Sequence, residues 1–139
     1  MADTTGISWC DHTHNHWIGC TKVSTGCAHC YAETQNARYN WTGGGWGKGQ
    51  PRKLTSQTNR AKPYTWARNA VKEGVPRRVF CSSLADVLDP EVPQRWREEL
   101  WALIAGTGEV GRRKWLLLTK RIESPGAMLP LSWLQTPPP

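Results

Sequence analysis

Two continuously apolar runs and one amphipathic stripe dominate the pattern of the chain. Residues 77–84 (RRVFCSSL) follow Pro76 and hold Val79, Phe80 and Cys81 at their centre. A short apolar run of this kind predicts a strand buried on both faces. Residues 114–119 (KWLLLT) repeat the pattern and exit on Lys120 and Arg121. Between them, Trp96, Leu100, Trp101, Leu103 and Ile104 recur at helical spacing over 94–105, and Gly106 and Gly108 stop the stripe. Strand, helix and apolar strand in that order predict an α/β fold, with a parallel sheet covered by helices.

The remaining segments are read from punctuation and composition. Residues 6–30 are dense in Cys, His, Trp, Gly and Thr. They predict one short strand at Ser8, Trp9 and Cys10, then a structured loop. Residues 29–39 lack Gly and Pro and predict a helix that starts at the last cysteine. Residues 40–53 hold Gly43, Gly44, Gly45, Gly47 and Pro51 and predict a connector made basic by Lys48, Arg52 and Lys53. Pro63 is expected to interrupt the next segment, leaving a helix at 64–73 that ends at Gly74. Residues 86–93 form a polar loop. The tail at 129–139 shows no period, and Pro137, Pro138 and Pro139 suit an extended end. Ligands gather at the C-terminal ends of parallel strands. The loops after Cys10, Cys81 and Thr119 are therefore expected on one rim.

Composition narrows the partners and the compartment. Hydrophobic residues make up 38% of the chain, net charge is +7 and the pI is about 9.5. An anionic partner such as a nucleic acid is compatible with this balance, and so is a merely solvated basic surface. No apolar run is long enough to span a membrane, and residues 1–7 lack the apolar core of a secretory signal. A cytoplasmic protein is expected, where clustered thiols point to metal or redox chemistry. Nine tryptophans against one phenylalanine suit a core filled by few large rings, or stacking on nucleobases.

Cys20, Cys27 and Cys30 form C-x6-C-x2-C, with Gly19 and Gly26 before two of them. The C-x2-C half brings two sulfurs to one metal in zinc and iron–sulfur sites alike. Three thiolates on a cubane leave one iron open to a substrate or cofactor. A zinc site is the alternative, completed by Cys10, His12, His14, His16 or His29. His12, His14 and His16 alternate and would share one face of an extended segment. They suit a metal face, a proton relay or a polar turn. Cys10 and Cys81 are expected to be core thiols. Asp86 and Asp89 follow a strand end, placed for ligand contact or to cap the next helix. Lys120 and Arg121 suit a carboxylate or phosphate, or an ordinary charged strand exit.

In order, GISWCDHT, WIGCTKVSTGCAHCYAE, WGKGQPRK, RRVFCSSLADVLDPEVP and WLLLTKR resemble a phage-associated family of radical-SAM-like three-cysteine proteins, over residues 6–123. The resemblance implies a partial, truncated TIM-type barrel with parallel strands at 1–123, a cysteine-rich loop after the first strand, and an irregular proline-rich tail at 124–139. It implies a [4Fe-4S] cluster on Cys20, Cys27 and Cys30, and S-adenosylmethionine on the open iron as a source of a hydrogen-abstracting radical. His29 and Tyr31 flank the last cysteine where the cofactor's adenine would lie. Ser82, Ser83 and Asp86 would meet the cofactor from the second strand end. The first cysteine gap is six, where radical SAM enzymes commonly have three. Family members continue past WLLLTKR with further strands, so a partner subunit would complete the barrel. The resemblance names no substrate. Two readings stand beside the enzyme. One is a non-catalytic, metal-stabilised binding module that engages a host protein or nucleic acid through the basic stretch 52–72. The other is a zinc-ribbon-like nucleic-acid binder.

Overall fold

Val79, Phe80 and Cys81 do form the middle of a parallel sheet. The computed structural model describes residues 3–108, 113–123 and 125–135. In chain order the elements are β1 (His12–Thr13), β2 (Trp17–Ile18), a 3-10 turn (Thr25–Cys27), α1 (Tyr31–Tyr39), β3 (Lys53–Leu54), α2 (Gln57–Glu73), β4 (Arg77–Cys81), α3 (Gln94–Gly108), β5 (Arg113–Leu117), α4 (Pro125–Met128) and α5 (Leu131–Gln135). The main sheet has the order β1-β4-β5, all parallel. Thr13 lies opposite Phe80, and Cys81 lies opposite Leu117. A second, two-stranded antiparallel sheet pairs β2 with β3. The fold is thus a mixed α/β arrangement around an open sheet, and the described residues close no barrel.

The first strand lies later than the sequence predicts. Residues 8–10 are not extended in the sheet, and Ser8 and Trp9 form a turn. The ladder runs instead from the Asp11 N–H, which donates to Arg78 O at 2.9 Å, to the His14 N–H, which donates to Phe80 O at 2.9 Å. The buried side chains there are polar: Thr13, His14, Asn15 and His16 are all under one tenth exposed. A search for apolar runs passes over such a strand, although the His12-His14-His16 alternation marks it.

Pro63 does not break α2, which runs through it for 17 residues. Proline in a helix interior removes one backbone hydrogen bond and crowds the preceding turn. Three contacts hold that turn. The Ser56 hydroxyl accepts from the Asn59 N–H at 3.2 Å. Asn59 Nδ2 donates to Asn15 O at 3.1 Å. The Arg60 guanidinium donates to Thr55 O.

The stripe of α3 covers one sheet face. Leu100, Trp101, Leu103 and Ile104 pack with Cys81, Val87 and Leu88, and Trp115 and Leu117 join them from β5. The end of the chain also belongs to this core, which its lack of period does not predict. Trp133 in α5 lies 5.0 Å from Trp101, ring centre to ring centre, and Trp101 Nε1 donates to Met128 O at 2.9 Å. Pro137, Pro138 and Pro139 lie outside the described residues. Among the described residues no helix is long and apolar enough to cross a membrane.

Candidate metal centre

The three parallel strands deliver three loops to one rim; two of them, after Cys81 and around Thr119, are those the sequence predicts, whereas the first follows Thr13 and not Cys10, which lies before β1. After β1 the chain reaches Gly19, whose N–H donates to Leu84 O at 3.1 Å and whose φ is +118°. A Cβ at Gly19 would come within 2.8 Å of Arg52 Cδ, so glycine there admits Arg52 beneath the cysteine loop. Cys20 follows directly. Asn15, fully buried, ties the first rim loop to the second. Its Oδ1 accepts from the Leu84 N–H at 2.7 Å, and its Nδ2 donates to Ser83 Oγ at 2.8 Å.

The cysteines differ in surroundings. Cys20 is half-buried, and Arg121 Nη1 lies 3.4 Å from its Sγ. Burial pushes the Cys20 thiol up, and Arg121 offsets only part of that. Cys27 is buried, which raises its pKa. Backbone hydrogen bonds from Val23 and Ser24, the Ser24 hydroxyl and the Lys120 charge outweigh burial, so the thiol sits below its usual range. Cys30 is the N-cap of α1 and makes no side-chain capping bond. The three thiols lie on the one segment that leads from β2 into α1. Among the described residues no three Cys, His, Asp or Glu side chains converge as a formed metal site.

A buried charge network anchors this loop. Arg52 Nε donates to Asp89 Oδ2 at 2.7 Å, and its Nη2 reaches Thr21 Oγ1 at 2.7 Å and Glu91 Oε2 at 2.9 Å. The Arg52 and Asp89 side chains are 3% and 0% exposed. Arg121 Nη2 donates to Thr21 O at 2.8 Å, and its guanidinium lies 3.2 Å from Asp86 and 3.8 Å from Asp89. Lys120 Nζ donates to Gly26 O at 2.5 Å. The exit of β5 thus grips both ends of the loop that carries Cys20 and Cys27. Sequence reading places Arg52 in a loose basic connector. Nothing local marks it as buried, because its carboxylate and hydroxyl partners Asp89, Glu91 and Thr21 lie 31 to 39 positions away.

The other predicted site residues are placed as follows. Tyr31 is exposed, and its hydroxyl donates to Ser83 O at 2.5 Å. Ser82 is buried beside Cys81, and His29 is exposed. Asp86 is fully engaged: it accepts from Thr119 Oγ1 at 2.8 Å, the Lys120 N–H at 2.9 Å and the Leu88 N–H at 2.9 Å. It therefore organises the rim rather than offering a free carboxylate. Of the candidate fourth ligands for zinc, only His29 lies on the cysteine loop. Cys10 precedes β1, at the opposite end of the sheet, and His12 stacks on Trp66 at 4.4 Å. Cys10 and Cys81 are buried thiols, as expected, and burial pushes Cys81 up to about 12.

His14 and His16 are buried, against Trp115 of β5 and Glu99 of α3 respectively. His14 Nε2 lies 3.4 Å from His16 Nδ1, and His16 Nε2 lies 3.4 Å from Glu99 Oε2 on α3. Burial pushes His14 down to about 3, with the neighbouring His16 charge adding to it. Burial pushes His16 down to about 4, against the opposing pull of Glu99.

Sheet and rim together define a parallel α/β protein with a cysteine-bearing loop clamped at the strand ends. The chain belongs to the family described as Protein of unknown function (DUF5131), whose model matches residues 4–138. No curated protein matches the chain. No solved structure matches it either.

Proposed function

We propose that this protein holds an iron–sulfur cluster on Cys20, Cys27 and Cys30 and supports radical S-adenosylmethionine-type chemistry. The observation that carries the proposal is the position of the cysteine loop. It sits at the C-terminal rim of a parallel sheet, where α/β proteins bind their ligands. The donor set suits the group: three thiols, one of them eased toward thiolate by backbone N–H groups and Lys120. When bound, such a cluster supplies an electron for cleaving a sulfonium. The chain's own residues fix the loop: Arg121 lies against Cys20, and Lys120 ties Gly26 beside Cys27. Tyr31, Ser82 and Ser83 line the neighbouring strand end and would take the cofactor side of the site. The open order β1-β4-β5 suits a part of a TIM-type barrel that a partner subunit completes. Function in the cytoplasm of a phage-infected cell follows from the resemblance.

Anaerobically purified protein given S-adenosylmethionine and a reductant should release 5′-deoxyadenosine. An intact cluster without release would favour a binding module over an enzyme. Cys27→Ala should lose the bound metal and destabilise the loop, because metal binding and folding are coupled at such sites. Unchanged metal content in that variant, measured by elemental analysis, would contradict the ligand assignment. A second reading, a zinc-stabilised module that binds a host protein or nucleic acid, rests on His29 next to Cys30 as a fourth ligand.

A further inference from the structure

A cavity of about 560 Å3 opens beside the cysteine loop, between Ser24 and Gly26 on one side and the exit of β5 on the other. Its size falls among pockets for small organic ligands, about 300–1,000 Å3. The apolar lining is Val23, Leu88, Pro90, Ile122 and Met128. Leu88 is 2% exposed, whereas Val23 is 50% and Ile122 80% exposed. A buried base thus meets an apolar lip open to solvent.

Three charged side chains also line the cavity: Lys120, Arg121 and Glu123. They are not equivalent. Asp86 and Asp89 already pair with Arg121. The Lys120 Nζ donates instead to the Gly26 carbonyl at 2.5 Å, and no ion pair of Lys120 with a carboxylate is found among the described residues. A carbonyl leaves the ammonium its full charge and two further N–H donors. Among the described residues, the cavity therefore presents apolar walls with one available cation, on the side of Gly26 and Cys27. Ser24, which lines it, lies 3.9 Å from Cys27 Sγ through its hydroxyl.

We propose that this cavity binds a small amphipathic anion, its apolar or aromatic body against Leu88, Ile122 and Met128 and its carboxylate, sulfonate or phosphate against Lys120. As a binding site the inference stands on the cavity alone. As the substrate class of the cysteine centre it rests on the proposed function.

The test is a fluorescence titration of the full chain with anilinonaphthalene sulfonate, with N-phenylnaphthylamine as the neutral counterpart. Lys120→Met should weaken the sulfonate about tenfold, the worth of one charge-assisted contact, and leave the neutral compound unchanged. Glu123→Gln removes a repelling carboxylate without touching the loop clamp, so it should tighten the sulfonate about twofold to threefold at low salt. Ile122→Asp should weaken both compounds. Sulfonate binding that neither Lys120→Met nor Glu123→Gln shifts, or equal losses of both compounds in Lys120→Met, would overturn the proposal. Iron is measured on the same preparations. Sulfonate binding that keeps its Lys120 dependence without iron supports the cavity and removes the cluster.

Discussion

Asp89→Ala should destabilise the protein by about 3–5 kcal/mol, the cost of leaving a buried cation without its partner. Asp89 has no exposed side-chain surface, and Arg52, which donates to it at 2.7 Å, is almost equally enclosed. The carboxylate also accepts from the Glu91 N–H at 3.1 Å and faces Arg121 at 3.8 Å. Without it, two guanidinium groups remain inside the rim with less than their full complement of acceptors. Glu91 keeps one hold on Arg52 but is one third exposed and cannot replace the buried contact. The loss falls on the segment that matters for chemistry, since Arg52 and Arg121 both bond to Thr21, next to Cys20. Urea denaturation measures the shift. Glu98→Ala is the comparison: Glu98 accepts from Gln94 on the exposed face of α3, and its removal should change stability by about 0.5 kcal/mol or less. Equal midpoint shifts for the two variants would remove the network from its anchoring role.

Acidification should weaken the fold well before carboxylates begin to protonate. His14 and His16 stay neutral in the folded protein to about pH 3 and 4, whereas an unfolded histidine takes up its proton near pH 6.5. Below that pH the unfolded chain binds more protons than the folded one, so stability falls as pH falls. The stabilisation is complete above about pH 6.5 and is lost progressively from there toward pH 4. At pH 5 each buried neutral histidine costs about 2 kcal/mol by this linkage. The pair should thus lower stability by about 4 kcal/mol between pH 7.5 and pH 5. His14→Leu should flatten the slope over that range, whatever it does to stability at pH 7.5. A pH-independent midpoint in the unmutated protein would show that the pair is not held neutral.

Much of this architecture is legible in the chain because apolar periodicity reports burial directly. Val79 to Cys81 and the Trp96-to-Ile104 stripe are such cases, and both lie in elements where the pattern places them. The helix that begins at Cys30 is legible for a different reason: 31–39 contains no residue that opposes one. The failures share a cause as well. β1 buries Thr13, and the buried His14, Asn15 and His16 follow it, so no apolar run marks the strand. Pro63 looks like a break because proline opposes a helix locally, yet Ser56 caps the turn before it and Asn59 ties that turn to Asn15. Trp133 joins the core through one ring contact that leaves no period in sequence. At the rim, the cysteines and the β5 exit are visible as clustered residue types. Arg52 and Asp89 become a pair only once the fold brings positions 37 apart together.

Cys20, Cys27 and Cys30 are proposed to hold an iron–sulfur cluster. Iron, acid-labile sulfide and zinc, measured on protein purified without oxygen, test it most directly. A cluster there gives brown protein with about four iron and four sulfide per chain and broad absorbance at roughly 400 nm, all lost in Cys27→Ala. Colourless protein carrying one zinc per chain would contradict it.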